Sequence, residues 1–354
     1  MHTHTLLRQL QIRYPVIQAP MLGVSTPEMA AAASNAGGLG SLAVGGLSPD
    51  AVATLLDQTR ALTSKPFAVN LFVHNVPELD AATPEPMQQL IQRLAAERGY
   101  ILTDADLRLP RLYTYKDQLD VLVKEDVRLV SFTFGCPDDD SIRLLKTHNL
   151  LLTGTATSLK EAAWLQDKGI DMVVAQGIEA GGHRGSFLHL GDDLPQQSLE
   201  ALLQDMKTDI HIPVIAAGGI RDVAGAKKMI DLGAAAVQLG TLFIPTRESQ
   251  AIPGYKQLLS GKTEMRSVLT TAFSGRWARG LSNAFIRAIE TSGIPVLPYP
   301  YQNALTTALR KKAQAQNDPE FTSLWAGTEL PLTTVADMSA TIVTQFGRAL
   351  ADES

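Results

Sequence analysis

Residues 213–241 read PVIAAGGIRDVAGAKKMIDLGAAAVQLGT, and this stretch decides the fold class. An apolar run, Pro213–Ala217, stops at the glycine pair Gly218-Gly219. Asp222 then stands where a helix N-cap would, ahead of a helical pattern over Val223–Leu232 that Gly233 ends. A second apolar run, Ala235–Leu239, follows and closes on Gly240-Thr241. Apolar runs without alternation are what strands covered on both faces of a parallel sheet require. The unit is strand, helix, strand, with each strand ending in glycine.

Working outward, similar runs recur at Pro15–Pro20, Leu39–Val44, Phe67–Phe72, Val127–Phe134, Leu150–Thr155 and Met172–Gln176. Helical segments lie between most of them. Ser25-Thr26-Pro27-Glu28 starts the first, with threonine as N-cap, proline at the first helical position and glutamate in the first turn, and Gly37 stops it. Ser48-Pro49-Asp50 and Ser158-x-x-Glu161 mark two further starts. Eight strands with intervening helices predict an α/β chain folded as a (β/α)8 TIM barrel. An open doubly wound sheet is the alternative, and the count of eight favours the barrel. The barrel is expected over residues 1–244, with an insertion at 74–120 that holds a proline-rich part, Pro77–Pro86, and a helix, Met87–Arg98. Residues 245–330 read as a mainly helical cap, including a helix near Ala304–Ala315. Residues 331–354 carry a last helix, near Thr333–Leu350, expected to pack back on the barrel.

At 354 residues, 45% hydrophobic and 19% charged, the chain can bury a large core. A net charge of -5 argues against nucleic acid as a partner. No apolar run reaches membrane-spanning length, and the N-terminus lacks the apolar core of a signal peptide. The single Cys136 excludes an internal disulfide and points to a reducing, cytoplasmic setting. No His/Asp/Glu set has metal-ligand spacing, so no metal is expected.

Ligands of such barrels sit at the C-terminal strand ends, where the informative residues fall. The first strand leads into Pro20-Met21, the third carries Asn70, and the sixth ends in Gln176 and runs on to Gly181-Gly182-His183. The seventh ends in Gly218-Gly219 and the eighth in Gln238-Leu239-Gly240-Thr241. Without a Cβ, glycine lets several backbone N–H groups turn onto a phosphate, and Thr241 adds a hydroxyl. Asn70, Gln176 and Gln238 are amides in apolar strands. They call either for a flat heterocycle with carbonyl and ring N–H edges or for neighbouring loop backbone. His183 is the acid/base candidate, against a plain structural hydrogen bond. His74 and His189 lie near strand ends, whereas His2 and His4 are assigned to a frayed terminus. Within Ser274–Asn283, Arg276 and Arg279 could engage phosphate or an acidic substrate. They could equally be salt-bridged surface residues docking the cap on the barrel, the reading preferred. Tyr299, in Pro298-Tyr-Pro-Tyr-Gln302, is a candidate for the substrate pocket.

Four segments together carry a resemblance: Pro15–Met21, Ala175–His183, Pro213–Ile220 and Val237–Thr241. In this order they resemble the nitronate monooxygenase family, formerly called 2-nitropropane dioxygenases. Ser131-Phe-Thr-Phe-Gly135 and Ser274–Asn283 look like its class I branch. The resemblance covers most of the chain and implies FMN as cofactor. It implies that Pro20, Met21, Asn70, Gln176 and Gly181 contact the flavin and that Gly218, Gly219 and Gln238 to Thr241 hold its ribityl-phosphate end. His183 matches the family's catalytic histidine. The implied reaction oxidises an alkyl nitronate such as propionate 3-nitronate, or a nitroalkane, with O2 to a carbonyl compound and nitrite. Trp277 departs from the pattern, standing where a smaller residue or proline is expected. Related FMN barrels include NAD(P)H:quinone reductases and an enoyl-acyl-carrier-protein reductase, and a non-catalytic flavin-binding protein is a further reading. Whether the protein is a monomer or a homodimer stays open.

Overall fold

The computed structural model describes residues 2–80, 83–125, 127–191, 194–261, 266–332 and 335–351. Among the described residues there are eleven strands: β1 Val16–Gln18, β2 Gly40–Ala43, β3 Phe67–Phe72, β4 Leu129–Thr133, β5 Leu151–Ala156, β6 Met172–Gln176, β7 Gly182–His183, β8 Val214–Ala217, β9 Ala236–Leu239, β10 Ser267–Thr270 and β11 Ala278–Leu281. Eight of them form one all-parallel sheet in the order β1-β9-β8-β6-β5-β4-β3-β2. Its two ends meet. Gln18 N donates to Leu39 O at 2.9 Å and Leu39 N donates to Val16 O at 3.0 Å, which closes the sheet into the expected TIM barrel. The Gln18 side chain extends this seam, because its Oε1 accepts from Ser41 N at 2.8 Å in place of a ladder carbonyl.

Side chains alternate across each strand, and this sorts the core. Met172 and Val174 of β6 face inward and pack with Ile17, Leu39, Ala68, Leu129 and Ile215. Val173 and Ala175 face outward and join the large cluster beneath the helices, with Val69, Val130, Leu152 and Val237. The helix starts follow the capping chemistry read from the sequence. Thr26, Ser48, Ser158 and Asp222 each accept a backbone N–H from the first turn of their helix.

Three regions differ from expectation. The N-terminus is not frayed: His2–Leu10 is a helix whose Leu6 and Leu10 are fully buried against the inward-facing strand residues. Among the described residues of 245–330, the helices Pro253–Ser260, Ala284–Thr291 and Tyr301–Ala315 are joined by β10 and β11, which form an antiparallel sheet with β7 in the order β10-β11-β7. Finally, the 74–120 segment divides. Helix Tyr115–Lys124 belongs to the barrel layer. Helix Glu85–Glu97 instead sends Met87, Leu90, Ile91 and Leu94 into a second core with Phe273, Phe285, Ile286, Leu305, Leu309 and Phe321. Arg98 clamps this core at its edge, with Nε and Nη2 at 3.1 and 2.9 Å from the Asp318 carboxylate. The last helix, Ser339–Ala351, lies on the barrel through Ile342, Val343, Phe346 and Leu350. Thr333, where that helix was expected to begin, lies outside the described residues.

Candidate active site

The C-terminal strand ends and the second core enclose a cavity of about 960 Å³. Pro20, Met21, Asn70, Gln176, Gly181, His183, Gly218, Gly219, Gln238, Leu239, Gly240, Thr241 and Tyr299 all border it. A cavity of this size suits a ligand at the upper end of the small-molecule and cofactor range.

His183 is held from three sides. As part of β7 it pairs with Ala278 of β11. Behind it, Gln176 uses both ends of its amide: Nε2 donates to His183 O at 3.0 Å, and Oε1 accepts from Gly185 N at 2.9 Å. For Gln176, then, loop backbone is the partner. Further along the loop, the fully buried Glu161 carboxylate accepts from Phe187 N, Leu188 N, Thr157 N and Thr157 Oγ1 at 2.6–3.0 Å. Arg184, 2% exposed, donates through Nη1 to Gly177 O at 2.5 Å and so ties the two ends of the loop.

The His183 ring sits edge-on among Phe134 (5.4 Å between centroids) and Phe72 (5.9 Å), with Trp325 tilted at 5.5 Å. Its Nε2 is 2.8 Å from Ser274 Oγ, which also lies 3.2 Å from Arg276 O. The hydroxyl has one hydrogen, so the acceptor it serves fixes the tautomer of His183. Burial, then the charges of Arg276 and Arg310, push the imidazole from 6.5 down to about 3. The ring is therefore neutral at physiological pH. The unfolded chain takes up this proton more readily, so the group withdraws stability as pH falls from 6.5 toward 3.

Asn70 Nδ2 donates to Ser131 Oγ at 2.9 Å and Thr133 Oγ1 at 3.2 Å, which fixes its amide at the cavity floor. Thr241 Oγ1 accepts from Gly327 N at 3.2 Å, leaving its own hydrogen to donate. Tyr299, 8% exposed, packs its ring against Phe134 at 5.4 Å and Phe72 at 6.1 Å, and burial holds its phenol above the ordinary range. His74 stands behind Tyr299 rather than on the cavity, with Nδ1 3.1 Å from Phe72 O. His189 does not border the cavity either. Arg276 and Arg279 do dock the second core on the barrel, but through carbonyls, and among the described residues neither forms a salt bridge. Arg276 Nη1 donates to Ser186 O at 3.1 Å with its guanidinium 4.2 Å over Phe134, and Arg279 Nε donates to Ile178 O at 2.9 Å. Ser274, Arg184 and Arg310 were not singled out by the sequence reading. Asn303, Thr307 and Arg310 share one helix face, a spacing that could have exposed the last of these.

The two glycines before His183 answer different demands. A Cβ on Gly181 would lie 2.5 Å from Ala326 C and 2.6 Å from Gly327 N, both backbone. Gly182 has open space around it but a φ of +79°. Gly181→Ala is expected to displace the 326–327 segment at a cost of about 1–3 kcal/mol, and Gly182→Ala to cost about 1 kcal/mol through φ alone. Thermal unfolding of both variants checks the order. A larger loss at Gly182 would contradict it.

A model of the family described as nitronate monooxygenase matches residues 4–345. A nitronate monooxygenase of Pseudomonas aeruginosa is 42% identical over 330 residues, covering 92% of this chain and 93% of that protein. A probable nitronate monooxygenase of Staphylococcus saprophyticus is 40% identical over 320 residues, covering 90% of this chain and 89% of that protein. Among solved structures, a nitroalkane oxidase from Streptomyces ansochromogenes superposes with a TM-score of 0.87 at 35% identity, covering 98% of each chain. FabK from Thermotoga maritima superposes with a TM-score of 0.75 at 26% identity, covering 99% of this chain and 96% of the other.

Proposed function

The chain belongs to the nitronate monooxygenase family, and on that footing we propose that its barrel-mouth cavity takes FMN together with an alkyl nitronate, with His183 serving the substrate. The protein is an oxidoreductase that acts with a flavin on nitronates or nitroalkanes. The observation that carries the finer reading is that one cavity brings together His183 and the glycine turn at 218–219.

The residues present suit the mononucleotide. Gly218 and Gly219 have φ of +120° and +67°, the kind of glycine turn that can present successive backbone N–H groups to an anion, and they border the cavity together with Gly240 and Thr241, whose hydroxyl keeps its hydrogen to donate. These four would hold the phosphate end. Pro20, Met21, Asn70 and Gly181, with Gln176 and Gln238, would border the ring system. When bound, the flavin supplies the one-electron oxidation of the nitronate that lets O2 complete its conversion to a carbonyl compound and nitrite. The chain's own part is to bind, orient and exclude water. Phe72, Phe134 and Trp325 keep the reacting end dry, and the neutral His183 offers a lone pair or a hydrogen bond without repelling or trapping the proton of its guest. We read 1–244 as the flavin-binding barrel in a cytoplasmic enzyme and 245–330, joined by helix Glu85–Glu97, as the substrate-selecting wall.

Aerobic incubation of the purified protein with an alkyl nitronate should release nitrite without NAD(P)H, and the flavin released by denaturation should co-migrate with FMN. Rapid flavin reduction by NAD(P)H with no nitrite would replace this reading with a reductase. A second expectation concerns pH. With His183 titrating near 3, kcat/KM for a preformed nitronate should show no ionisation of this residue between about pH 5 and 9. A step near 6.5 that vanishes in His183→Ala would contradict it.

A further inference from the structure

Arg310 stands on the helix Tyr301–Ala315 and borders the cavity shared by His183 and Tyr299. Its Nη2 donates to Asn303 O and Asn303 Oδ1, each at 2.9 Å, and to Thr307 Oγ1 at 3.0 Å. All three acceptors lie on its own helix and none is charged. Its Nε is buried without a partner. Among the described residues Arg310 pairs with no carboxylate, whereas the nearby Lys312 lies 3.8 Å from Asp106. Its charge is felt at both His183 and Tyr299. Arg276, the other cation acting on His183, is committed to Ser186 O and the Phe134 face and does not border this cavity.

Arg310 is half-buried at the cavity wall with its Nε buried, and a guanidinium so placed without a counter-charge favours an anion entering beside it. The helix itself fixes the orientation of Arg310, so the missing partner is a ligand anion. The glycine turn at 218–219 and Gly240-Thr241 offers the donors for a cofactor phosphate, and His183 stands at the reacting end. That leaves the far end of the substrate. We propose that Arg310 reads a carboxylate on the substrate and is thereby the residue that separates nitronates carrying a second anionic group, a few bonds from the nitro carbon, from those with an uncharged tail. This rests on the nitronate reading above. A guanidinium matches a carboxylate in geometry as well as charge.

The test compares wild-type holoenzyme with Arg310→Met and Arg310→Lys, using propionate 3-nitronate and the uncharged-tail propyl-1-nitronate. Arg310→Met should lose ~100-fold in kcat/KM for the carboxylate substrate, and only ~3-fold for the propyl compound. Arg310→Lys should recover part of the loss as a point charge. Bound flavin per chain and the unfolding midpoint, measured on the same samples, should match the wild type. Equal losses on both substrates, no loss on either, or a drop in bound flavin would overturn the assignment. Binding of 3-nitropropionate and of 1-nitropropane, followed by perturbation of the flavin spectrum, separates this from the reading it rests on. If the wild type oxidises neither nitronate, the functional reading falls. Arg310 then still stands if Arg310→Met weakens 3-nitropropionate alone, and falls if it does not.

Discussion

His183→Ala is expected to lower kcat/KM for neutral nitroalkanes by ~100-fold or more, and for preformed nitronates by ~10-fold at most. A nitroalkane must surrender the proton on its α-carbon, and among the cavity residues named above only His183 combines a basic ring nitrogen with a position beside Phe72, Phe134 and Trp325. A nitronate has already lost that proton, so it needs only the hydrogen bond and the shape. The same geometry implies that even the wild type handles nitroalkanes poorly. An imidazole pushed down to about 3 is always unprotonated but holds a proton weakly. Initial rates of oxygen uptake with nitroethane and with ethylnitronate, each titrated to saturation, measure both effects. Equal losses on the two substrates would remove His183 from the role of base.

Glu161→Ala is the second large effect. The carboxylate is fully buried, and its four donors come from two places: Thr157 at the start of its own helix, and Phe187 and Leu188 in the His183 loop. Alanine leaves three backbone N–H groups without an acceptor, that of Thr157 fully buried, which should cost about 2–3 kcal/mol. The loss should concentrate in the loop. Hydrogen exchange at Phe187 and Leu188 is expected to rise far more than exchange in β6, and the unfolding midpoint should fall. Glu161→Gln keeps one acceptor oxygen and should lose less. A variant as stable as the wild type, with unchanged exchange at 187–188, would contradict this account.

Glu161 also shows where reading the sequence stops. Ser158-x-x-Glu161 marks a helix start, and Ser158 Oγ does accept from Glu161 N at 3.3 Å. The glutamate side chain, however, turns away to bind a loop 26 residues on, a contact of tertiary origin. The eight barrel strands were legible because each is an apolar run bounded by glycine, proline or a cap, and local chemistry alone sets those limits. The antiparallel sheet was not. β7 is two residues long and β11 reads Ala-Arg-Gly-Leu, so neither carries a strand pattern: β7 is a strand because β11 lies beside it, and β11 because it pairs along its length with β10. Similarly, Arg310 is followed by Lys311 and Lys312, a run that reads as a solvated face. Gly181 was legible as a site residue, but the space it vacates is filled by Ala326 and Gly327 of this chain.

The second core has a consequence for the order of events during synthesis. Its parts come from opposite ends of the sequence, Met87–Leu107 and Ala272–Phe321, with most of the barrel emerging from the ribosome in between. Helix Glu85–Glu97 must wait, its apolar face unsatisfied, until residue 321 has been made. The second core over the mouth thus consolidates after most barrel strands have been made, and a cofactor that enters before then meets an open vestibule rather than a finished vault. Pulse-labelling exchange during refolding should find Met87, Leu90 and Leu94 protected together with Phe285 and Leu309, and after the amides of β3 to β6. Early, independent protection of the first group would show that the vault closes before it can be furnished.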